Sequence, residues 1–268
     1  MSDIMRDTQD EQPLHPLRLE KVGITNLKTL IKIERNGQEF RHIPTITIFM
    51  DLDEMKKGVH MSRLIESITE ILEEEVAEKH TSLELIGKHV LETLKAKHHF
   101  LRAGIEFESE LPLYERTPVS GKETIEIHAI QVKLVNDENT WTKILKVSVV
   151  GNTVCPHALS TSQGKTHIQR ATGILEISTD FGTEIALEDM VEVVEKSFSS
   201  RVYTLLKTED EARIVGNMYS NPLFVEDVCR NMLALSSRQF FGCSIHATCI
   251  SNESIHRHDV YAEGSVRT

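Results

Sequence analysis

The sequence predicts an α+β protein of two consecutive units, each of the order β-β-α-α-β-β, with antiparallel hairpins and the helices grouped between them on one sheet face. Three observations carry this. Apolar residues follow an extended pattern over residues 28–52, recur at helical spacing over 64–94, and return to the extended pattern over 102–136. The same succession follows over 143–262 without obvious identity to the first. The 268 residues, 40% hydrophobic and 26% charged, have an ordinary globular balance and need no disulfide staple to bury a core.

Residues 1–17 carry Asp, Gln, Glu and two prolines without periodicity, and they read as a flexible arm until a partner subunit covers them. Extended stretches at 28–35 and 43–52 flank Asn36-Gly37, a strong hairpin signal. Leu64, Ile65, Ile68, Ile71, Leu72 and Val76 mark one amphipathic helix, and Leu83, Ile86, Val90, Leu91 and Leu94 a second. Strands at 102–111 and 123–136, joined by a loop over 118–121, close a first module spanning 18–138. The second module, 139–268, has strands at 143–150 and 167–179. Its helices are marked by Leu187, Val191, Val194 and Phe198 and by Val225, Val228, Cys229 and Met232, and extended stretches follow at 243–250 and 260–262.

Lysine and arginine total 30 against 41 acidic residues, a formal charge of −11. This argues against a nucleic-acid or anionic-membrane partner, so a phosphate-bearing ligand needs a local basic pocket. No apolar run approaches the roughly 20 residues of a membrane span, and the polar start is unlike a secretory signal, which predicts a cytoplasmic protein. In that compartment Cys155, Cys229, Cys243 and Cys249 read as free thiols or metal ligands.

Cys155 follows a predicted strand and so emerges at a strand end, and His167 comes twelve residues later. A thiolate and an imidazole suit zinc or ferrous iron, and a carboxylate beside them leaves a position open for water. A buried cysteine beside a surface histidine is the alternative. Gln163-Gly-Lys-Thr166 imitates the end of a P-loop, but the earlier glycine is missing and a strand, not a helix, is expected next. His256 and His258, at alternate positions, face one side if the segment is extended. Lys57, His60, Ser62 and Arg63 surround a helix start where an anion can sit, or Ser62 is a plain N-cap. Asn221–Asp227 opens another helix with acidic residues at its dipole end. His42 and His98-His99 read as structural.

Val22–Lys28, Gly58–Arg63, Thr153-Val-Cys-Pro156, Thr166-His167 with Gln169-Arg170, Val202–Lys207 with Asp210-Glu-Ala212, Asn221–Asp227 and Glu253–Asp259 occur in one order over nearly the whole chain. The series resembles the type IB GTP cyclohydrolase family, and most closely its archaeal branch, which serves methanopterin biosynthesis. The chain departs from that branch's pattern at His157, where cysteine is common, and at Ile168, where asparagine is.

The resemblance implies the tunnelling fold, with two β-β-α-α-β-β modules per subunit and active sites near subunit interfaces. It implies metal-dependent hydrolysis of the guanine imidazole ring of GTP at C8, release of formate, and a 7,8-dihydroneopterin product, in the archaeal branch the 2′,3′-cyclic phosphate. Carried over, Cys155, His167, Glu209 and His256 are the metal-site residues. Cys155, His256 and His258 are catalytic, and Glu226 grips the guanine edge with Arg63, His60, Ser62 and Arg170 around the substrate. One divalent metal per subunit is expected, Fe(II) first, with Zn or Mn as alternatives. Exposed sheet edges add the expectation of a closed homo-oligomer, a tetramer. Two other readings remain: a pterin or deazapurine enzyme using Cys155 as nucleophile, activated by His167, and a non-catalytic GTP-binding protein.

Overall fold

The computed structural model describes residues 8–35, 38–77, 82–98 and 100–268. Its strands are β1 (Leu19–Lys28), β2 (Ile31–Arg35), β3 (Gln38–His42), β4 (Thr45–Leu52), β5 (Arg102–Arg116), β6 (Glu123–Asp137), β7 (Thr140–Val154), β8 (Ile168–Asp180), β9 (Ser200–Arg201), β10 (Ser244–Ser251) and β11 (Val260–Arg267). Its helices are α1 (Met61–Ala77), α2 (Leu83–Lys97), α3 (Pro156–Thr161), α4 (Leu187–Ser197), α5 (Thr208–Ser220) and α6 (Val225–Gln239). The chain divides into two compact units, one holding residues up to Ser109 with Gln131–Lys143, the other Glu110–Ile130 with Ile144–Thr268. The long strands β5, β6 and β7 therefore each contribute residues to both, where the sequence reading placed a single boundary at 138/139.

In the first unit the strands run β1-β4-β5-β6. β1 and β4 are antiparallel from Leu19↔Leu52 to Lys28↔Thr45, with an irregularity between Ile24 and Leu27 where Asn26 takes a positive φ of 60°. The expected first hairpin is therefore divided. Among the described residues β2 and β3 pair only with each other, as a separate two-stranded sheet inserted in the chain between β1 and β4, and the Asn36-Gly37 turn lies outside the described residues. β1 escapes a sequence reading because its residues are mostly exposed and no buried alternation marks it.

Leu64, Ile68 and Ile71 of α1 and Leu83, Ile86, Val90, Leu91 and Leu94 of α2 are buried with Ile46, Ile48, Ile105, Phe107 and Leu134. Such burial stabilises by about 1.5–3 kcal/mol per large side chain. Ser82 caps α2 by accepting the Leu85 N–H at 3.3 Å. Part of the N-terminal arm is tied down. Lys57 N–H donates to the Gln9 and Glu11 carbonyls at 3.1 and 3.0 Å, and Gly58 N–H to Gln9 at 3.2 Å. Residues 1–7 of the arm lie outside the described residues.

In the second unit the strands run β7-β8-β10-β11, with β9 on β7. β10 is antiparallel to β8 from Ser244↔Ser178 to Ser251↔Ala171, and to β11 on its other side. Met190, Val191 and Val194 on α4, Phe198 at its C-cap, and Val228 and Met232 on α6 bury with Leu175, Ile177, Ile245 and Ala247. Phe198 crosses the strand at Gly151, where an added Cβ would stand 2.2 Å from its ring.

Helices α3 and α5 were not expected. Six residues are too few for a period to show in α3, and α5 buries only Asp210, Ile214 and Met218. Asp210 is a clamp: its carboxylate accepts N–H donors from Val119 at 2.8 Å, Ser120 at 2.9 Å and Lys207 at 3.0 Å, with the Ser120 hydroxyl besides. Burial alone would raise its pKa, but these donors outweigh it and hold the carboxyl well below the usual range. Among the described residues no helix is long and apolar enough to cross a membrane.

Candidate active site

Cys155 stands where β7 gives way to α3, as the strand-end expectation required. It is the N-cap of α3, with φ −69° and ψ 109°, and Pro156 follows at the first helical position. Its Sγ accepts the Ala158 N–H at 3.3 Å. Its backbone N–H donates to the His167 carbonyl at 3.3 Å and its carbonyl accepts from Thr166 Oγ1 at 2.7 Å, so the cysteine and histidine backbones are tied side by side. The return between them passes Gln163 (φ 55°) and Gly164 (φ 81°) and enters β8, not a helix. This removes the P-loop reading.

The His167 ring is held on one side. Nδ1 lies 2.9 Å from Gln169 Oε1 and 3.7 Å from Glu253 Oε2, while Gln169 Nε2 donates to Glu253 Oε1 at 3.2 Å. Glu253 also accepts from Ser251 Oγ at 2.9 Å, and Ser251 meets Thr153 Oγ1 at 3.0 Å. The His256 ring stands edge-on to His167 with centroids 6.4 Å apart, and His258 stacks on His256 at 5.2 Å and 12°. The two histidines thus face together as alternate spacing suggested, although the backbone over 254–258 is bent and not extended. Gln169 and Glu253 stand inside motifs of the sequence, which carry no sign of the bond between them.

The start of α6 adjoins the same strand end. Val154 N–H donates to the Leu223 carbonyl at 3.4 Å, Leu223 N–H to Ser199 Oγ at 3.1 Å, and the Asn221 side chain to the Phe198 carbonyl at 3.2 Å. Asp227 caps the helix by accepting the Phe224 N–H at 3.2 Å and pairs with Arg230, whereas Glu226 beside it is exposed. Of two adjacent acids in the helix's first turn, one is therefore occupied structurally and the other is presented to solvent.

α5 lies against the Cys155 strand through Ile214 and Met218, which cluster with Val154 and Ile168. Glu209 and Glu211 are both exposed in its first turn. At 100° per residue Glu211 falls on the face of Ile214 and Met218, and Glu209 is turned away from it. Arg170 is exposed, and its carbonyl accepts the Asn252 N–H at 2.9 Å, which fixes the segment leading to His256.

In the first unit, Leu64 N–H donates to the His60 carbonyl at 3.0 Å, so His60 occupies the N-cap position of α1 and Ser62 lies within the helix. The N-cap alternative for Ser62 therefore falls. His60 Nε2 is 3.6 Å from Asp10 and Lys57 Nζ 3.1 Å from Glu11. His60 also borders a cavity of about 610 Å³ lined by Asp10, Arg18, Asp51, Lys56 and Lys95. Arg63 belongs to the first turn of α1, and its side chain lies outside the described residues.

Thiolate and imidazole are chemically suited to Fe(II) or Zn(II), and an imidazole whose other nitrogen is held by an amide that a carboxylate in turn orients has the support metal-binding histidines have. Among the described residues no group of three His, Cys, Asp or Glu is already drawn together as a cage. The donor chemistry fits, and the cage is not preformed.

The fold defines a class first. Over 93% of each chain the structure resembles uricase from Arthrobacter globiformis, a tunnelling-fold protein, with a TM-score of 0.56 at 8% identity, a likeness of fold alone. The chain belongs to the type I GTP cyclohydrolase (folE2) family, whose profile matches residues 5–262. It is 51% identical to the GTP cyclohydrolase MptA of Pyrococcus furiosus over 96% of this chain and 98% of that one. It is 32% identical to the GTP cyclohydrolase MptA of Methanobrevibacter smithii over 98% and 96%.

Proposed function

We propose that the chain is a GTP cyclohydrolase that opens the guanine imidazole ring of GTP at C8, releases formate and recloses the product as a 7,8-dihydroneopterin, the 2′,3′-cyclic phosphate, for methanopterin biosynthesis. Family membership supports the activity. The observation that supports its location is the backbone tie between Cys155 and His167 at the β7–β8 strand ends, with the His256 ring edge-on to that of His167.

The divalent metal, Fe(II) first with Zn(II) or Mn(II) as alternatives, would be held by Cys155, His167 and His256 with a carboxylate of α5. When bound it lowers the pKa of water and supplies hydroxide near neutral pH. Glu209 is the carboxylate assigned from the sequence, and the helix face favours Glu211. Glu226 accepts the guanine N1 and N2 protons as a bidentate pair. His256, whose ring meets that of His167, takes the ligand role, which leaves His258 to deliver a proton to N7 and make C8 electrophilic. Arg170, Lys57, His60 and Arg63 counter the phosphates of the substrate in an otherwise acidic protein, and Ser62 offers them a hydroxyl donor. Two β-β-α-α-β-β modules in a tunnelling fold and a closed homotetramer complete the reading, with Arg63 reaching a site on a neighbouring copy.

Anaerobic incubation with GTP and Fe(II), Mn(II) or Zn(II) in turn tests this, with formate and pterin fluorescence recorded and the phosphate product resolved by mass. Metal-dependent formate and a cyclic phosphate are expected. Turnover in rigorously metal-free protein would point to Cys155 as nucleophile, and GTP binding without formate to a non-catalytic protein.

A further inference from the structure

The chain of side chains behind His167 has only one consistent direction of hydrogen bonding. It links the end of β7 (Thr153), the entry into β8 (His167 just before it, Gln169 within it) and the exit from β10 (Ser251 at its end, Glu253 just after it) within the second unit. Thr153, Gln169 and Ser251 are buried, with exposures of 1%, 8% and 0%. Glu253 as a carboxylate has acceptors only, so the Gln169 group that meets it at 3.2 Å is the amide NH2. The Gln169 oxygen then faces His167 at 2.9 Å, and an oxygen that only accepts requires the hydrogen to sit on Nδ1. On the other side Ser251 gives its single proton to Glu253 and so accepts from Thr153.

From this we propose that Gln169 and Glu253 are positioning residues that lock His167 in its Nδ1–H tautomer and leave Nε2 as the lone-pair donor. The charge of Glu253 is read through one amide, which turns an acceptor into a donor and back. The carboxylate thereby sets the tautomer while its nearer oxygen remains 3.7 Å from Nδ1. The expectation that this matters for a metal rests on the metal-site reading above, whereas the tautomer itself does not.

The test begins with metal-free wild-type protein, reading the ¹⁵N shifts of the His167 imidazole at a pH where it is neutral. The Nδ1–H form is expected, and a predominant Nε2–H form overturns the proposal without any variant. Gln169→Leu should give a mixture of tautomers and weaken Zn(II) or Mn(II) binding about 10–100-fold in chelator competition. Gln169→Glu combined with Glu253→Gln reverses carboxylate and amide and should restore both readouts. Thr153→Val removes a buried hydrogen bond beyond the carboxylate and should change neither, which separates positioning from stability.

A folded Gln169→Leu variant with wild-type tautomer and affinity overturns the proposal. If that variant does not fold, loss of the Nδ1–H form in the exchanged pair does so instead. Failure of the wild type to bind Fe(II), Mn(II) or Zn(II) overturns the metal reading and leaves the tautomer result standing.

Discussion

The two stretches nominated for ligand chemistry are held in opposite ways. Around Cys155 and His167 the supports are buried hydrogen bonds among Thr153, Gln169, Ser251 and Glu253, drawn from three strands. Around Lys57 and His60 they are pairs with Glu11 and Asp10, whose side chains are 42% and 59% exposed. Buried polar networks are costly to leave half-made and so fix geometry, while exposed ion pairs contribute about 0–1 kcal/mol and exchange readily. A reacting centre needs the first arrangement. A polyanion that must arrive and leave is served by the second.

The comparison breaks most sharply at the thiol. Cys155→Ala should abolish turnover and lower bound metal, yet cost no more than about 1 kcal/mol of stability, since one N–H···S contact is lost. Full activity with unchanged metal content would remove Cys155 from the site. Next, Glu226→Gln should weaken GTP binding about 10–100-fold with metal content unchanged, because a donor replaces an acceptor in hydrogen bonds worth about 1.5–3 kcal/mol each. Equal GTP affinity by calorimetry would make Glu226 a helix-dipole charge only.

Glu195 sharpens the contrast from a third place, being buried and paired with Arg201 at 2.8 Å. Burial, opposed by Arg201, pushes its carboxyl up from 4.5 to about 6. A raised acid contributes stability that is fully present below about pH 4.5 and lost as pH rises through about 6, on the order of 2 kcal/mol. Denaturant unfolding of Glu195→Gln should lack that slope, so a wild-type slope in the variant would assign it to another group. Smallest of all, Lys57→Ala should change stability by less than about 1 kcal/mol and GTP affinity a few-fold. That effect should fade with added salt, and a salt-independent loss would mean a fixed contact.

How much of this was legible follows from where the signal lives. α2 was readable because five buried apolar residues recur at helical spacing, and the strand-end position of Cys155 because its motif is local. α5 was not, since its inner face is an acid and two apolar side chains, and without its boundaries the faces of Glu209 and Glu211 cannot be told apart. β1 is an edge strand with little burial. The Gln169–Glu253 bond joins positions 84 apart in the chain, a distance over which no spacing rule operates.

The Asp210 clamp has a consequence for how the chain can be dissected and refolded. Its carboxylate gathers donors from Val119 and Ser120, some 90 residues upstream, in a unit whose chain is interrupted by Gln131–Lys143. Closing so long a loop costs entropy before any contact rewards it. A fragment begun at residue 139 would carry Cys155, His167, Glu226 and His256 but lack the turn that seats α5. The site residues are thus contiguous enough to be cut out, and the scaffold under them is not.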